Sequence, residues 1–262
     1  MNINTRDWGC QQNPSRSLKT GTACPKMGSK AMKSCVVLFS GGIDSTTALC
    51  WALDRYDKVF PLTFDYGQRH RVEVRMATKA ARKLGLKPVV IKLDLRQVGG
   101  SALTDPGIDL PKPKGLARLK AGTPPTYVPF RNGILLAVAA AWAEAHGVAD
   151  LVVGFNIVDS PNYPDTRREF IRAMEKAVNA GTGAAFGGPQ MRILAPFVGL
   201  RKSEIIRRGL ALGADYSFSV SCYAGGEKPC GVCSSCLLRA RAWKETGRKD
   251  PLITRTGKGE TK

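Results

Sequence analysis

An α/β fold is predicted, with a doubly wound parallel sheet and a small C-terminal zinc-binding subdomain. Short apolar runs suited to buried strands alternate with helical segments from residue 34 to residue 212, a pattern typical of parallel sheets covered by helices. A glycine-rich turn directly follows the first apolar run, and ligand sites of such sheets lie beyond the carboxyl ends of the strands. Four of the eight cysteines lie close together after the last predicted helix, which favours a metal site.

The alternating pattern predicts five strands and five helices. The strands are expected at 34–39, 58–64, 88–93, 151–154 and 191–195, and the helices at 44–54, 69–84, 132–146, 166–179 and 202–212. The first strand, SCVVLF, is apolar almost throughout, as expected of a strand covered on both faces. The third helix is apolar nearly all round, which predicts that it is buried.

Composition divides the chain into four regions. Residues 1–33 are polar and rich in Gly, Pro, Ser and Lys, which predicts a flexible leader. The α/β domain is expected over 34–215, the four-cysteine zinc subdomain over 216–245, and a basic tail over 246–262. Within the α/β domain, segment 96–126 is rich in proline and glycine without periodicity, which predicts a functional lid or a mobile loop.

The chain carries a formal charge of +19, of which about half lies in residues 1–33 and 237–262. A solvated basic surface that suits a nucleotide-binding protein is one interpretation, and a nucleic-acid surface is the other. The sequence has no apolar run near the roughly 20 residues that a membrane-spanning helix needs. It also has no apolar stretch typical of a signal peptide near its start, so a cytoplasmic location is expected.

The clustered cysteines are Cys222, Cys230, Cys233 and Cys236, in the order C-x7-C-x2-C-x2-C. Four thiolates complete a tetrahedral zinc site and leave no position for a substrate, so a structural zinc is expected. Free thiols and an iron–sulfur cluster are the alternatives. Cys35 and Cys50 lie in apolar runs and are expected in the core.

The strongest chemical motif is SGGIDSTT at 40–47, between a predicted strand and a predicted helix. Glycines allow the backbone to approach an anion, and the first N–H groups of the helix with nearby hydroxyls can hold pyrophosphate. A glycine-rich turn without function is the plain alternative. The chain contains neither GxxxxGK[ST] nor GxGxxG, which excludes the two common nucleotide-binding fingerprints.

This motif resembles the PP-loop of the ATP-pyrophosphatase superfamily, whose members split ATP between the α- and β-phosphates. Four further strings narrow the resemblance: TFDYGQRH at 63–70, YVPFRN at 127–132, NYPD at 162–165 preceded by Asp159, and LRKSEI at 200–205. With the cysteines they resemble the 7-cyano-7-deazaguanine synthase family of queuosine and archaeosine biosynthesis, from about residue 35 to residue 243. The chain departs from the pattern of this family at two places. Phe130 stands where the family usually has a small residue, and residues 161–166 read PNYPDT where the family often has SGYPDC. Both places are expected near the substrate pocket.

The resemblance implies an adenine-nucleotide hydrolase-like PP-loop fold and a two-stage reaction. ATP, with Mg²⁺, adenylates the carboxylate of 7-carboxy-7-deazaguanine, ammonia displaces AMP to give an amide, and a second adenylation yields the nitrile. Nucleic acid is not required, and a homodimer is a candidate assembly. The alternatives are another PP-loop enzyme acting on tRNA, such as a thiolase or lysidine-type ligase, and a non-enzymatic zinc-ribbon module.

The resemblance and the residue types together give the expected site. Arg131, Lys202, Ser40, Asp44 and Ser45 are the catalytic candidates, with ordinary surface cations as the alternative for the first two. Asp44 could position Mg²⁺ or cap its helix. The expected ATP-binding residues are Phe39, Ser40, Gly41, Gly42, Ile43, Asp44, Ser45, Thr46, Thr47, Ala48 and Leu49, with Asp65 and Gln68 at the adenine or ribose.

Four residues are expected at the deazaguanine. Tyr66 and Tyr163 could stack on the ring, and Asp159 and Asp165 could accept its two N–H groups. Helix capping and packing are the alternatives for all four. The chain has two histidines: His70, near the second motif, is a weak site candidate, and the other is expected to interact with the dipole at a helix end.

Overall fold

A parallel sheet of five strands in the order β3-β2-β1-β4-β5 lies at the centre of the molecule. The computed structural model describes residues 32–113, 122–158 and 162–257. Every pairing between neighbouring strands is parallel, and the predicted α/β class is confirmed. The strands are β1 Ser34–Leu38, β2 Lys58–Asp65, β3 Val89–Lys92, β4 Asp150–Val152 and β5 Arg192–Leu194.

The central strand β1 is covered on both faces, as its apolar sequence requires. Val36 packs into one hydrophobic cluster, whereas Cys35 and Val37 pack into another on the opposite face. The chain continues from β1 to β2 and β3 on one side, and later returns to β4 and β5 on the other. The strand order therefore reverses beside β1, which is where sheets of this kind open a crevice at their carboxyl ends.

Seven helices are assigned within the described ranges. They are α1 Ile43–Leu53, α2 Val72–Lys83, α3 Arg131–Ala145, α4 Arg168–Ala180, α5 Lys202–Ala211, α6 Ser234–Thr246 and α7 Pro251–Gly257. The first five lie at the predicted places. Helix α4 begins two residues later than expected because Pro164–Thr166 forms a separate 3-10 turn before it. Helix α3 is buried along one side through Leu136, Ala139, Ala140 and Ala143.

The described part of segment 96–126 is anchored to the domain. Residues 101–104 are all buried, and Leu103 belongs to the larger hydrophobic cluster of the sheet. The Arg69 N–H donates to the Leu103 carbonyl at 2.8 Å, and the Ala102 N–H donates to the Pro125 carbonyl at 2.8 Å. These stretches are therefore packed against the domain beside β2. The segment predicted as a lid also includes residues 114–121, which lie outside the described residues.

The segment after residue 215 packs directly on the α/β domain. Tyr216 is fully buried and its hydroxyl lies 2.7 Å from the Thr47 hydroxyl of α1. Trp243 of α6 shares a hydrophobic cluster with Ile43 and Ile206. The apolar surface of α6 is thus buried against α1 and α5, and the C-terminal segment forms a continuation of the α/β core.

The expected basic tail needs a correction. Within 246–262, residues Pro251–Gly257 form α7 and Leu252 is fully buried beside Met76 and Val220. The Nε and Nη2 groups of Arg239 each donate to one oxygen of the Asp250 carboxylate. The sequence did not indicate this helix, because the segment is rich in basic residues and has no apolar periodicity. Its packing depends on one buried leucine and one ion pair. None of the helices in the described ranges is long and apolar enough to cross a membrane.

Truncation of Leu252 tests the packing of α7. Leu252→Ala should lower the free energy of unfolding by about 2–5 kcal/mol, since it removes a fully buried side chain. Ile253→Ala is the matched control, because Ile253 is 51% exposed in the same helix, and surface changes usually stay within about 0.5 kcal/mol. Urea denaturation curves measure both, and equal midpoints for the two variants would contradict the packing described.

Candidate active site

A cavity of about 310 Å³ opens at the carboxyl ends of β1, β2 and β4. Its walls include the loop between β1 and α1, the end of β2, the start of α3, the residues after β4, and the segment that carries the cysteines. Its volume lies within the range of small-molecule sites. The cavity therefore occupies the place that the sheet topology predicts for a ligand.

Two glycines bring the backbone of the β1–α1 loop close to its neighbours. Gly41 has a φ of 79°, and a Cβ there would lie 2.9 Å from the Ala77 Cβ on α2. A Cβ on Gly154, which follows β4, would lie 2.7 Å from the Asp44 carbonyl carbon. The start of α1 is thus held between α2 and the end of β4 at distances that only glycine permits.

Hydroxyl groups and backbone N–H groups surround the start of α1. The Ser40 and Ser45 hydroxyls lie 3.1 Å apart, and the Gly42 N–H donates to the Ser40 hydroxyl at 3.3 Å. No side chain in the described ranges caps the N-terminus of α1. An uncapped N-terminus leaves N–H donors and a positive dipole end for an anion, so this loop fits a phosphate group of ATP.

The expected ATP-binding residues divide into two groups in the structure. Those lining the cavity are Phe39, Ser40, Gly42, Ile43, Asp44 and Ser45. The Thr47 hydroxyl instead contacts Tyr216, and Ala48 and Leu49 are fully buried in the core. Thr46 is buried, and its hydroxyl has no hydrogen-bond partner in the described part of the chain.

Asp44 and Lys202 form an ion pair at the edge of the cavity. The Lys202 Nζ lies 2.6 Å from the Asp44 Oδ2, and both side chains are at least four-fifths buried. The other oxygen of Asp44 is buried without a hydrogen-bond partner in the described ranges. The pair thus brings a cation and a carboxylate to the cavity beside the start of α1, a suitable combination for phosphate and a divalent metal.

Asp65 and Gln68 do not line the cavity. The Arg71 guanidinium donates a hydrogen bond to the Asp65 carboxylate at 2.6 Å. This hydrogen bond is the main reason why the pKa of Asp65 is lowered. Gln68 is fully buried, accepts from the Tyr66 N–H at 2.7 Å and donates to Glu73 at 3.1 Å. Both side chains thus stabilise the loop after β2, and the geometry gives no support to their expected place at adenine or ribose.

Arg131 and Tyr66 lie together in the wall of the cavity. The Arg131 guanidinium lies 3.4 Å from the Tyr66 hydroxyl. Burial works to lower the pKa of Arg131, but Tyr66, Asp165 and Glu73 outweigh it and raise that pKa above its ordinary value. Arg131 therefore remains charged in this partly buried position, as binding of an anionic group requires.

The remaining expected substrate residues have different positions. Tyr163 lines the cavity, and its hydroxyl lies 3.0 Å from that of Thr126. Asp165 is buried outside the lining and accepts from the Asn132 N–H at 2.9 Å, so it caps the start of α3. Asp159 lies outside the described residues.

Several lining residues were missed by sequence reasoning. His70 was a weak candidate, whereas Glu73, Tyr223 and Arg239 were not considered for the site, and all four line the cavity. Glu73 follows the TFDYGQRH string by three residues, and Tyr223 directly follows Cys222. Their position beside a motif was therefore the feature of the sequence that could have indicated them as site residues. The second histidine, His146, lies at the C-terminal end of α3 as expected, with its Nδ1 2.7 Å from the Trp142 carbonyl oxygen, and its ring stacks on that of Trp142 at 3.7 Å between centroids.

The four clustered cysteines converge on one point. Their sulfur atoms all lie within 4.8 Å of one another, and the Cys230 and Cys236 sulfurs are 3.9 Å apart. Zinc bonded to four thiolates at about 2.3 Å places the sulfurs about 3.8 Å apart. The geometry thus fits one tetrahedral zinc ion, and the cluster adjoins the cavity because Tyr223, Ser235 and Leu238 line it.

Comparison with known proteins identifies the family. The family model described as "Queuosine biosynthesis protein QueC" matches residues 34–247. The chain belongs to the QueC family. A 7-cyano-7-deazaguanine synthase of Azotobacter vinelandii is 46% identical over 222 residues, which are 84% of this chain and 97% of that protein. The synthase of Thermoplasma acidophilum is 46% identical over 222 residues, or 84% of this chain and 91% of that protein.

A solved structure gives a more distant similarity. A 4-thiouridine synthetase in complex with RNA and ATP matches at 20% identity with a TM-score of 0.46, covering 86% of this chain and 53% of that one.

The QueC match confirms the family inferred from the motifs. As a member of this family, the chain is an ATP-dependent ligase of queuosine biosynthesis, of the 7-cyano-7-deazaguanine synthase type.

Metal analysis tests the cysteine cluster. Purified protein should carry about one zinc ion per chain, because four thiolates form a closed site. Cys236→Ala should lose most of this zinc and lower the yield of folded protein, since metal binding contributes to folding. Cys50→Ala is the matched control, as it removes a buried thiol from a different cluster. Unchanged zinc content in Cys236→Ala, measured by mass spectrometry of the metal, would exclude the proposed ligand set.

Proposed function

We propose that this chain converts 7-carboxy-7-deazaguanine and ammonia to 7-cyano-7-deazaguanine through adenylated acid and adenylated amide intermediates. The observation that carries this proposal is a single cavity that is lined both by the uncapped first turn of α1 and by Arg131 with Tyr66. A nucleotide phosphate and a carboxylate substrate can thus meet within one site. Membership of the QueC family supports the same reaction.

ATP is placed by its phosphates in this proposal. The backbone N–H groups at the start of α1, with the Ser40 and Ser45 hydroxyls, bind the pyrophosphate that leaves when the α-phosphate is attacked. Donors fixed before the reaction stabilise the charge that develops on the leaving group. Lys202 adds a positive charge at the same end, and its ion pair with Asp44 orients it.

Asp44 is the proposed magnesium ligand. Its unpartnered oxygen is buried beside the loop, and carboxylate oxygens with phosphate oxygens are the ligands that Mg²⁺ takes in nucleotide sites. The metal would neutralise phosphate charge when ATP is bound. In the protein alone, Lys202 compensates the charge of the carboxylate.

The deazaguanine occupies the end of the cavity near α3. Arg131 is placed to neutralise the carboxylate of the substrate, and Tyr66 and Tyr163 present rings to a planar heterocycle. Asp165 acts on this pocket through the backbone of Asn132, since it caps the helix that begins with Arg131. Asp159 is kept as a candidate for the N–H groups of the heterocycle, on the resemblance alone.

The tRNA-thiolase alternative lacks a suitable thiol in the described site. Cys35 and Cys50 are buried and do not line the cavity. Burial raises the pKa of the Cys35 thiol to about 12, and a thiol is a poor nucleophile when protonated. We therefore favour a small-molecule substrate and free ammonia, in a cytoplasmic protein that functions without nucleic acid; a homodimer is its candidate assembly.

Substitutions in the loop test the proposed ATP site. Ser40→Ala or Ser45→Ala should slow both adenylation steps by about 10²–10³, the usual effect of removing one donor from a developing anion. Zinc content and melting temperature should stay near those of the parent. The measurement is release of AMP and pyrophosphate from ATP in the presence of substrate and ammonia.

Two comparisons make this test specific. Thr78→Ala removes a hydroxyl that bonds within α2, away from the cavity, and should leave the rate unchanged. Gly41→Val is expected to be more harmful than either serine change, but its side chain would collide with Ala77, so it reports on folding as well as on ATP. Release of ADP and phosphate alone, with Ser40→Ala fully active, would contradict the proposal.

A separate prediction concerns nucleic acid. Turnover on the free base should need no tRNA, and removal of residues 1–30 should leave it nearly intact. The measurement is product formation from the free base in steady state, with and without added tRNA and over a salt series. An absolute requirement for tRNA, together with the steep loss at moderate salt that counterion release causes, would favour the tRNA-modifying alternative instead.

A further inference from the structure

We propose that His70 is the general base of the step that forms the amide and of the step that forms the nitrile, and that Glu73 positions it. This inference rests on the proposed function, because it assigns the proton transfers of that reaction. His70 and Glu73 both line the cavity, and neither is explained by ATP binding or by the zinc site. His70 is 4% exposed, so the cavity is the direction from which a ligand can reach it.

Glu73 fixes the orientation and the tautomer of the imidazole. The His70 Nε2 lies 3.2 Å from one oxygen of Glu73, and the Gln68 side chain donates to the other oxygen at 3.1 Å. An ionised carboxylate only accepts hydrogen bonds, so Nε2 of the neutral ring carries the hydrogen. The lone pair of the neutral ring is therefore on Nδ1.

Nδ1 is the atom that the protein leaves unused. It is buried and has no hydrogen-bond partner within the described ranges. Buried polar atoms with a purely structural role are normally paired, and an exception calls for a functional or solvent explanation. His70 lines the cavity, has one unpaired ring nitrogen, and has its opposite nitrogen fixed by a carboxylate, which is the arrangement of a base.

The place of His70 in the cavity agrees with this role. Its ring centroid lies 6.0 Å from that of Tyr223, which lines the same end of the site. Glu73 is close enough to Arg131 to raise the pKa of that guanidinium. The base therefore lies at the end where the carboxylate of the substrate is proposed to bind.

The first proton transfer accompanies the attack of ammonia. The lone pair of nitrogen forms a bond to the carbonyl carbon of the acyl adenylate, and the nitrogen becomes positively charged. Nδ1 of His70 takes one proton from it, the bond from carbon to the AMP oxygen breaks, and AMP leaves with that electron pair. The products are the amide, AMP and a protonated imidazole, which returns its proton to water.

The second proton transfer forms the nitrile. The amide oxygen displaces pyrophosphate from a second ATP, which leaves a positive charge on nitrogen, and one acidic N–H proton passes from it to water. The neutral adenylated intermediate still carries one hydrogen on nitrogen. His70 removes it as the bond from carbon to the AMP oxygen breaks, and the electron pair of the N–H bond becomes part of the triple bond. Both steps need a base, whereas attack of a carboxylate on ATP does not.

The test separates adenylation from nitrogen chemistry. His70→Gln retains an amide that can donate to Glu73 but has no basic nitrogen. Exchange of labelled pyrophosphate into ATP, driven by 7-carboxy-7-deazaguanine without ammonia, should stay within about threefold of the parent. Formation of amide and nitrile with ammonia should fall by about 10²–10⁴, the usual contribution of general base catalysis. His146→Gln is the matched control and should leave both rates unchanged, since His146 is on the surface at the end of α3.

The outcomes distinguish this inference from the proposed function. Nitrile formation within a few-fold of the parent in His70→Gln would overturn it, as would an equal loss of exchange and product formation. If His70→Gln does not fold, Glu73→Gln is judged by the same split, because a misoriented base slows product formation and spares exchange. A parent enzyme without substrate-dependent exchange would instead overturn the proposed function, whatever the behaviour of His70.

Discussion

The close approach of backbone to backbone at the end of β1 is the constraint on which the site depends. Gly41 lies against α2 and Gly154 lies against the carbonyl of Asp44, at distances that exclude a Cβ. The first turn of α1 is consequently fixed relative to β4; its residues Ile43, Asp44 and Ser45 line the cavity, and its N-terminus has no side-chain cap. A helix that began with a capping side chain would be more stable alone, but that side chain would compete with the phosphate proposed to bind there.

The cysteine-bearing segment completes the cavity rather than forming a separate module. Tyr223, Leu238 and Arg239 line the cavity from that segment, and Arg239 is in turn fixed by Asp250 and the Ser219 carbonyl. Two of the four metal ligands, Cys222 and Cys236, lie one to three residues from these lining positions. A structural zinc ion is therefore expected to determine the shape of the pocket as well as the stability of the protein. The parts of a protein that lie behind a site and hold its residues in place contribute to the precision of that site.

Sequence reasoning predicted the features that depend on local pattern. The apolar runs located all five strands, and the spacing of cysteines located the four sulfurs that converge. It could not show that α7 packs on the core, because one buried leucine in a basic segment gives no periodicity. It also could not show which of the motif residues point into the cavity, as Asp65 and Gln68 demonstrate. These two side chains bind other residues in and beside the loop after β2. Their positions depend on tertiary contacts, which the motif does not show.

Phe130, where the motif resemblance implies a small residue, lies outside the lining of the cavity. Its backbone has a φ of 52°, a left-handed conformation that costs a non-glycine residue about 1–2 kcal/mol. The Tyr127 hydroxyl accepts from its N–H at 3.0 Å, and its ring packs edge to face on Phe170. The ring is 54% exposed and does not line the cavity. The departure therefore alters the outer surface between α3 and α4, while the strained turn sets the direction in which the next residue, Arg131, enters the site.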